Sequence, residues 1–166
     1  MPTSDDDATR LATELGRTLV AQGLCAATAE SCTGGLIAGA ITAISGSSDW
    51  FDRGFVTYSN EAKTEMLGVP AATLAAHGAV SETTAIAMAE GALDRSAAAV
   101  AVAVTGIAGP GGGTPAKPVG MVCFAWARRG CDTVVTTRQL AGDRTQVRAA
   151  SVSIALRGLL DIAQKT

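Results

Sequence analysis

Apolar residues recur every three or four positions over residues 7–22, which predicts an amphipathic first helix. A run of aspartates before it suits a helix N-terminus, and Gly23 is placed to end it. Residues 24–30 are short and apolar, as is typical of a strand. A tight turn over residues 31–35 then leads into an apolar helix over residues 36–44. The chain therefore opens with helix, strand, turn and helix.

The same patterns assign the rest of the chain. Residues 54–58 are aromatic and β-branched, which predicts a second strand, and Asn60 is expected to cap a helix over residues 61–67. Residues 99–104 form a continuous apolar run, as in a central strand covered on both faces. The other predicted helices cover residues 71–76, 82–96 (capped by Ser81) and 143–163, and the other predicted strands cover residues 119–127 and 133–140. Residues 106–118 are rich in glycine and proline and predict a long loop.

The order of these elements predicts a fold class. It is α/β, a three-layer α/β/α domain with a mixed, mostly parallel sheet of about five strands. The last two strands flank Arg128-Arg129-Gly130 and are expected to form an antiparallel hairpin. The length of 166 residues fits one domain over residues 1–166.

Composition excludes several classes of protein. Apolar residues make up 48% of the chain and charged residues 17%, which predicts a soluble globular protein with no membrane partner. Thirteen basic and 15 acidic residues give a net charge of −2, and the basic pair Arg128-Arg129 is too short to predict a nucleic-acid partner. The acidic N-terminus lacks a signal-peptide pattern, so a cytoplasmic location is expected. Apolar faces on alanine-rich helices predict a homo-oligomer.

The cysteines and the histidine do not form a metal-ligand pattern. Cys25, Cys32, Cys123 and Cys131 contain no Cys-x-x-Cys pair, and one histidine, His77, is present in a predicted turn. We interpret the cysteines as small buried hydrophobic residues in a reducing compartment. No metal is predicted, and a Ser-His-Asp triad is a poor candidate.

Polar segments follow the predicted strands where ligand sites of α/β sheets lie, beyond the carboxyl ends of parallel strands. These segments are residues 31–35, 58–63, 105–113 and 142–144. Their shared placement predicts one cleft containing Ser31, Tyr58, Lys63, Thr105 and Arg144.

Ser31 and Lys63 offer a serine nucleophile with a lysine base. A lysine accepts a hydroxyl proton only when it is neutral, and burial or the positive end of a helix favours that form. Lys63 lies in the first turn of the predicted helix over residues 61–67. Two alternatives remain open: Ser31 could be the N-cap of the following helix, and Lys63 could be a solvated lysine on an exposed face.

Three ordered segments resemble the CinA C-terminal domain family, and the match runs over nearly the whole chain. They are residues 28–35 (TAESCTGG), residues 53–60 (RGFVTYSN) with Lys63, and residues 104–110 (VTGIAGP). Members of that family are nicotinamide-nucleotide amidases, which convert nicotinamide mononucleotide to nicotinic acid mononucleotide and ammonia. The resemblance implies this activity on a small nucleotide substrate, with no cofactor.

The resemblance also implies roles for individual residues. Ser31 would be the nucleophile, Lys63 its base and Tyr58 an assisting group. Backbone N–H groups or Thr105 would hold the oxyanion. The residues implied to bind substrate are Thr105, Gly106, Arg144, Gly34 and Gly35. Ala116 stands where the family pattern commonly has an acidic residue, in the loop over residues 109–118.

Other readings of these residues stay open. The alternative function is a non-catalytic nucleotide-binding or interaction module. Tyr58 could be a strand aromatic, Thr105 could cap a turn, and Arg144 could form an ion pair with Asp143 or another acid at the helix end. The glycine-rich loop lacks the Gly-Lys-Ser/Thr ending of a P-loop, so binding of a nucleoside triphosphate is not expected. Cys32 would need a partner that lowers its pKa to act as a nucleophile, and we interpret it as a packing residue.

Overall fold

The computed structural model describes residues 3–165, which form a five-stranded sheet between two layers of helices. The strands are β1 (Ala26–Glu30), β2 (Phe51–Val56), β3 (Val100–Gly106), β4 (Met121–Arg128) and β5 (Val134–Gln139). The helices are α1 (Ser4–Gln22), α2 (Leu36–Thr42), α3 (Asn60–Leu67), α4 (Ala71–His77), α5 (Glu82–Asp94) and α6 (Arg144–Ala163), with a 3-10 helix at Ser47–Asp49. The predicted three-layer α/β/α fold is confirmed.

The sheet is mixed, with strand order β2-β1-β3-β4-β5. β1 is parallel to both β2 and β3, whereas β4 runs antiparallel to β3 and to β5, as the predicted hairpin requires. Glu30, the last residue of β1, is paired with Val56 of β2 and with Val104 of β3. The carboxyl ends of the three parallel strands therefore meet at one edge of the sheet, as the sequence predicted.

The two faces of the sheet carry side chains of different size. On β3 and β4, the residues packed with α1, α2 and α6 are Val100, Val102, Val104, Val122, Phe124 and Trp126. Those packed with α5 are Ala101, Ala103, Cys123, Ala125 and Ala127. Because the second face is built from small side chains, α5 lies close to the sheet. None of the helices within residues 3–165 is long and apolar enough to cross a membrane.

The observed boundaries of β2 and α3, both near the site, differ from prediction. β2 begins at Phe51 and ends at Val56, so Tyr58 lies in the loop beyond the strand. The predicted cap of α3, Asn60, was wrong, because Asn60 is already helical. Ser59 has the extended backbone that a cap requires, and its hydroxyl accepts a hydrogen bond from the N–H of Ala62 at 3.0 Å.

The basic pair Arg128 and Arg129 stabilises two helix ends. The Arg128 guanidinium donates to the carbonyls of Ile162 and Ala163 at the end of α6, at 2.8 and 3.0 Å. The Arg129 guanidinium donates to the carbonyl of Leu93 in the last turn of α5. Cations at these positions satisfy the unpaired carbonyls of a helix C-terminus. Both guanidinium groups are therefore engaged within the fold.

Gly91 sets the distance between α5 and α3, the helix that carries Lys63. A Cβ at Gly91 would lie 2.1 Å from the carbonyl oxygen of Leu67. We expect Gly91→Ala to displace α3 and to lower the free energy of unfolding by about 1–3 kcal/mol, the usual cost of overpacking. In a domain of this size each kcal/mol lowers Tm by about 2–4 °C, which thermal unfolding followed by circular dichroism will measure.

Gly39→Ala is the matched control for Gly91→Ala. Gly39 also lies in a helix, α2, but a Cβ there would meet no atom within 4 Å. Its Tm is expected to stay the same or rise slightly, because alanine restricts the unfolded chain. Equal losses of Tm in the two variants would contradict the close approach of α3 and α5.

Candidate active site

Ser31 lies in the turn that follows β1. Its N–H donates to the carbonyl of Val104 on β3 at 3.0 Å, and its own carbonyl accepts the N–H of Gly34 at 3.0 Å. The residue is 8% exposed and lies at the carboxyl edge of the sheet. The turn is sharp because Gly34 and Gly35 have φ values of 57° and 104°, in the left-handed region that favours glycine.

Lys63 extends from α3 to the same point. The residue is 1% exposed, so the alternative of a solvated surface lysine was wrong. Its Nζ lies 3.0 Å from Ser31 Oγ, 2.8 Å from the carbonyl oxygen of Thr57 and 3.3 Å from that of Tyr58. The sequence-based expectation that Ser31 and Lys63 share one cleft is thus met by a direct hydrogen bond.

Burial favours the neutral form of this amine. It lowers the pKa of Lys63 from its ordinary value of 10.5, although an ionised Cys32 would oppose that shift. A neutral amine has two N–H groups and one lone pair. The carbonyls of Thr57 and Tyr58 can only accept, so they take the two N–H groups and leave the lone pair for the Ser31 hydroxyl proton. This arrangement can act as a nucleophile with its general base.

Cys32 does not compete with Ser31 as a nucleophile. The residue is 7% exposed, and burial raises the pKa of its thiol to about 11. The thiol is therefore protonated at neutral pH, whereas the thiolate is the nucleophilic form. The interpretation of Cys32 as a packing residue agrees with this geometry.

A cavity of about 280 Å³ opens over the Ser31 hydroxyl. It is lined by six of the eight predicted site residues, namely Ser31, Tyr58, Lys63, Thr105, Gly106 and Arg144. Gly109, Gly111 and Gly112 of the long loop close one side of it. The two remaining residues, Gly34 and Gly35, do not line this cavity, and Gly35 faces a separate one between α1, α2 and α6. Within residues 3–165, no three His, Cys, Asp or Glu side chains are grouped to hold a metal ion.

Thr105 and Tyr58 contribute to the cavity in different ways. The Thr105 hydroxyl is buried and donates to the carbonyl of Ala79 at 2.8 Å. The Thr105 hydroxyl proton is therefore already used in a hydrogen bond within the fold. Tyr58 is 65% exposed, and the atom it directs towards Lys63 is its backbone carbonyl. The aromatic ring of Tyr58 is available at the cavity mouth.

Arg144 is the first residue of α6 and supplies a guanidinium group to the cavity wall. Its Nη1 donates to the carbonyl of Gly109 at 2.9 Å, which ties the long loop to α6. The alternative of an ion pair with Asp143 was wrong. Asp143 is the N-cap of α6, and its carboxylate accepts the N–H of Gln146 at 2.9 Å.

Comparison with known proteins identifies the family. The family model of the CinA C-terminal domain matches residues 8–163. The chain belongs to the CinA C-terminal domain family. It is 49% identical over 156 residues to the nicotinamide-nucleotide amidohydrolase PncC of Escherichia coli, with 94% of each chain covered. The crystal structure of the competence/damage inducible protein CihA from Agrobacterium tumefaciens superimposes with a TM-score of 0.93 and 52% identity, covering 95% of this chain and 96% of that chain.

Some members of the CinA C-terminal domain family are much longer than this chain. A CinA-like protein of Akkermansia muciniphila is 58% identical over 147 residues, which cover 89% of this chain but 36% of that relative. The chain thus spans about a third of the length of such curated relatives.

Sequence reasoning missed two charged residues that hold the Ser31 turn in this family member. Arg148 of α6 donates from Nε to the carbonyl of Cys32 at 3.1 Å and from Nη2 to that of Thr33 at 3.4 Å. Glu30, which ends β1, is fully buried. The sequence features that could have pointed to them are the position of Glu30 at the end of an apolar strand and that of Arg148 one helical turn after Arg144. Neither feature identifies the group that the side chain contacts.

The alternative of Ser31 as a helix cap was also wrong. The N-cap position of α2 is Gly35, and it provides no side-chain hydrogen bond. The N–H groups of Ile37 and Ala38 donate instead to the Glu30 carboxylate, at 2.9 and 3.1 Å. The Ser31 hydroxyl therefore stays available to Lys63.

Proposed function

We propose that this protein is a nicotinamide-nucleotide amidohydrolase that uses Ser31 as nucleophile and Lys63 as general base. The observation that carries the proposal is the 3.0 Å contact between Ser31 Oγ and a buried Lys63 Nζ at the base of a cavity. The substrate class is supported by the amidohydrolase name of the Escherichia coli relative, which matches nearly the full length of this chain.

In the first half of the reaction, Lys63 takes the hydroxyl proton as Ser31 Oγ attacks the carboxamide carbon. A C–O bond forms, and the carbonyl oxygen becomes an oxyanion. The resulting Lys63 ammonium then gives its proton to the carboxamide nitrogen as the C–N bond breaks. Ammonia leaves, and nicotinic acid mononucleotide remains as an ester on Ser31.

In the second half, Lys63 is neutral again and activates water. Water adds to the ester carbon and transfers a proton to Nζ, and the bond to Ser31 Oγ breaks as that proton returns to Oγ. The product leaves as the carboxylic acid. The carbonyls of Thr57 and Tyr58 hold Nζ in place through both halves, because they are fixed backbone acceptors.

The oxyanion requires donors that the fold has not already used. The N–H of Ser31 is bonded to Val104, and the hydroxyl of Thr105 is bonded to Ala79. We therefore assign the oxyanion to other backbone N–H groups at the cavity wall, of which the N–H of Cys32 is adjacent to the nucleophile.

The charges and the ring at the cavity suit a pyridine mononucleotide. Within residues 3–165 the cavity lining contains no Asp or Glu side chain, and its cationic group is the Arg144 guanidinium, which is well suited to a phosphate. The exposed Tyr58 ring at the mouth can stack on the cationic pyridine ring of the substrate. Both features favour an anionic nucleotide over a simple carboxamide.

We expect purified protein to release ammonia and nicotinic acid mononucleotide in equal amounts from nicotinamide mononucleotide, with or without a chelator. The reason is that Ser31 and Lys63 supply nucleophile and base without a metal. A coupled ammonia assay and chromatography of the nucleotide product will measure this. Nicotinamide riboside, which lacks the phosphate, is the control substrate and should show a higher KM. Binding of the mononucleotide without turnover would instead favour the non-catalytic module.

A further inference from the structure

Glu30 is a buried carboxylate placed directly before the nucleophile. It has no exposed surface, and its oxygens accept three hydrogen bonds from the segment that follows it. Oε1 accepts from Thr33 Oγ1 at 2.6 Å and from the N–H of Ile37 at 2.9 Å, and Oε2 accepts from the N–H of Ala38 at 3.1 Å. Thr33 lies in the turn that follows β1, and Ile37 and Ala38 lie in the first helical turn of α2. The carboxylate therefore joins β1 to that turn and to α2.

This arrangement replaces the cap that α2 lacks. The first N–H groups of a helix need acceptors, and Gly35 at the N-cap position has no side chain to provide one. A buried carboxylate is costly unless it is well paired, and here the partners are a hydroxyl and two N–H groups at the positive end of α2. The carboxylate is thus held rigidly, and so is the turn between Glu30 and α2.

Ser31 lies inside the loop that these bonds close. On one side its N–H is bonded to Val104 of β3, and on the other side Thr33 is tied back to Glu30. The backbone of Ser31 is therefore fixed at both ends, and its Oγ meets Lys63 Nζ on α3, 32 positions along the chain. Small displacements of a nucleophile reduce rates strongly, since a misplacement of about 1 Å can cost about 100-fold.

We propose that Glu30 is a positioning residue for the nucleophile: its carboxylate ties the Ser31 turn to α2 and so holds Ser31 Oγ against Lys63 Nζ. Glu30 acts through Ser31 and takes no part in proton transfer. The inference rests on the proposed hydrolase, because it assigns a role in the same reaction.

Three variants test the role at graded strength. Glu30→Gln keeps the size of the side chain but leaves one oxygen for three donors, and we expect kcat for nicotinamide mononucleotide to fall by about tenfold. Glu30→Ala removes all three bonds and should lower kcat by about 100-fold, the cost of a misplacement of about 1 Å. Thr33→Val removes only the hydrogen bond from the Thr33 hydroxyl, and its kcat should lie between those of wild type and Glu30→Ala. KM should change by less than about twofold in each, because the cavity wall that binds substrate is retained.

A core variant separates positioning from stability. Leu159 is fully buried on α6, about three turns beyond Arg148, and Leu159→Ala should lower Tm while kcat per folded molecule stays at the wild-type value. The inference is overturned if the Glu30 variants keep wild-type kcat, or if their kcat falls only in proportion to the unfolded fraction. Thr33→Val keeps the test decisive if Glu30→Ala does not fold.

A second readout does not depend on the substrate. A fluorophosphonate probe reacts with an activated serine, and mass spectrometry will give its rate of attachment to Ser31 in each variant. This rate should fall by the same factor as kcat. If wild-type protein is labelled at Ser31 but releases no ammonia from nicotinamide mononucleotide, the proposed function fails and the labelling rates still decide the role of Glu30. Equal labelling rates in wild type, Glu30→Gln and Glu30→Ala would overturn the positioning role.

Discussion

Ser31→Ala is expected to lower kcat for nicotinamide mononucleotide by about 10⁴-fold or more, the scale seen when a serine nucleophile is removed. Among residues 3–165, Ser31 Oγ is the only oxygen at hydrogen-bond distance from Lys63 Nζ that can form a bond to carbon, since the other two contacts are backbone carbonyls. The variant lacks this oxygen. Substrate binding should persist, because the cavity wall is otherwise unchanged. Steady-state kinetics together with isothermal titration of the mononucleotide will separate the two effects.

Cys32→Ala is the matched control for Ser31→Ala. It removes a nucleophilic atom one position along the same turn, but burial keeps the pKa of that thiol at about 11 and therefore keeps it protonated. We expect kcat to stay within about threefold of wild type, since removing a buried thiol leaves the Ser31 turn bonded to Glu30 and Arg148. Full turnover in Ser31→Ala, or its loss only in Cys32→Ala, would assign the nucleophile to cysteine.

The sequence predicted the layout of the fold because local patterns carry that information. Apolar periodicity located the main helices, and the alanine and valine run of β3 marked a central strand. The site also followed from topology, since Ser31, Tyr58 and Thr105 all lie at the carboxyl ends of parallel strands. Ser31 directly follows β1, Tyr58 is two residues beyond β2, and Thr105 is the penultimate residue of β3. Residues at the carboxyl ends of adjacent parallel strands meet whatever the details of packing, and for that reason this part of the prediction was accurate.

The contacts that hold the site could not be predicted from the sequence. The burial of Lys63 depends on α3 packing against α5, where Gly91 allows close approach to Leu67. The partner of Arg148 lies 116 positions away at Cys32, and no local pattern identifies such a pair. The cap of α2 comes from Glu30 on a strand, whereas capping rules look at the residues beside the helix. The first two contacts join residues far apart in the sequence, and the third crosses the turn between a strand and the next helix.

The backbone and the side chain of Tyr58 have separate roles that the sequence could not distinguish. Its backbone carbonyl holds Lys63, whereas its ring is exposed at the cavity mouth. The sequence predicted that Tyr58 belongs to the site. The end of β2 at Val56 explains why its backbone and its ring act separately. Because the strand stops two residues earlier, the carbonyl of Tyr58 is free of the sheet and can turn towards α3.

Lys63→Met and Lys63→Arg are both expected to lower kcat by about 10²–10⁴-fold, the range for loss of a general base. Methionine fills the buried site without a proton acceptor. Arginine provides a permanent positive charge and donors for the Thr57 and Tyr58 carbonyls, but it cannot accept a proton because it stays protonated at all accessible pH values. The pair therefore separates the base from the charge, and steady-state kinetics on folded variants will measure both. Wild-type rates in Lys63→Arg would show that a cation is sufficient and that no base is needed.

The pH dependence of wild-type protein tests the same amine. Only neutral Lys63 can accept the Ser31 proton, so kcat/KM should rise with pH through the pKa of Lys63, which burial places below its ordinary 10.5. Between that lowered pKa and 10.5 the unfolded chain binds more protons than the folded one, so stability should also rise with pH in this window. In Lys63→Met, neither kcat/KM nor stability should show this rise with pH. If kcat/KM is instead flat up to pH 10, or falls with rising pH, Lys63 acts as a cation and the Ser31 proton must leave by another route.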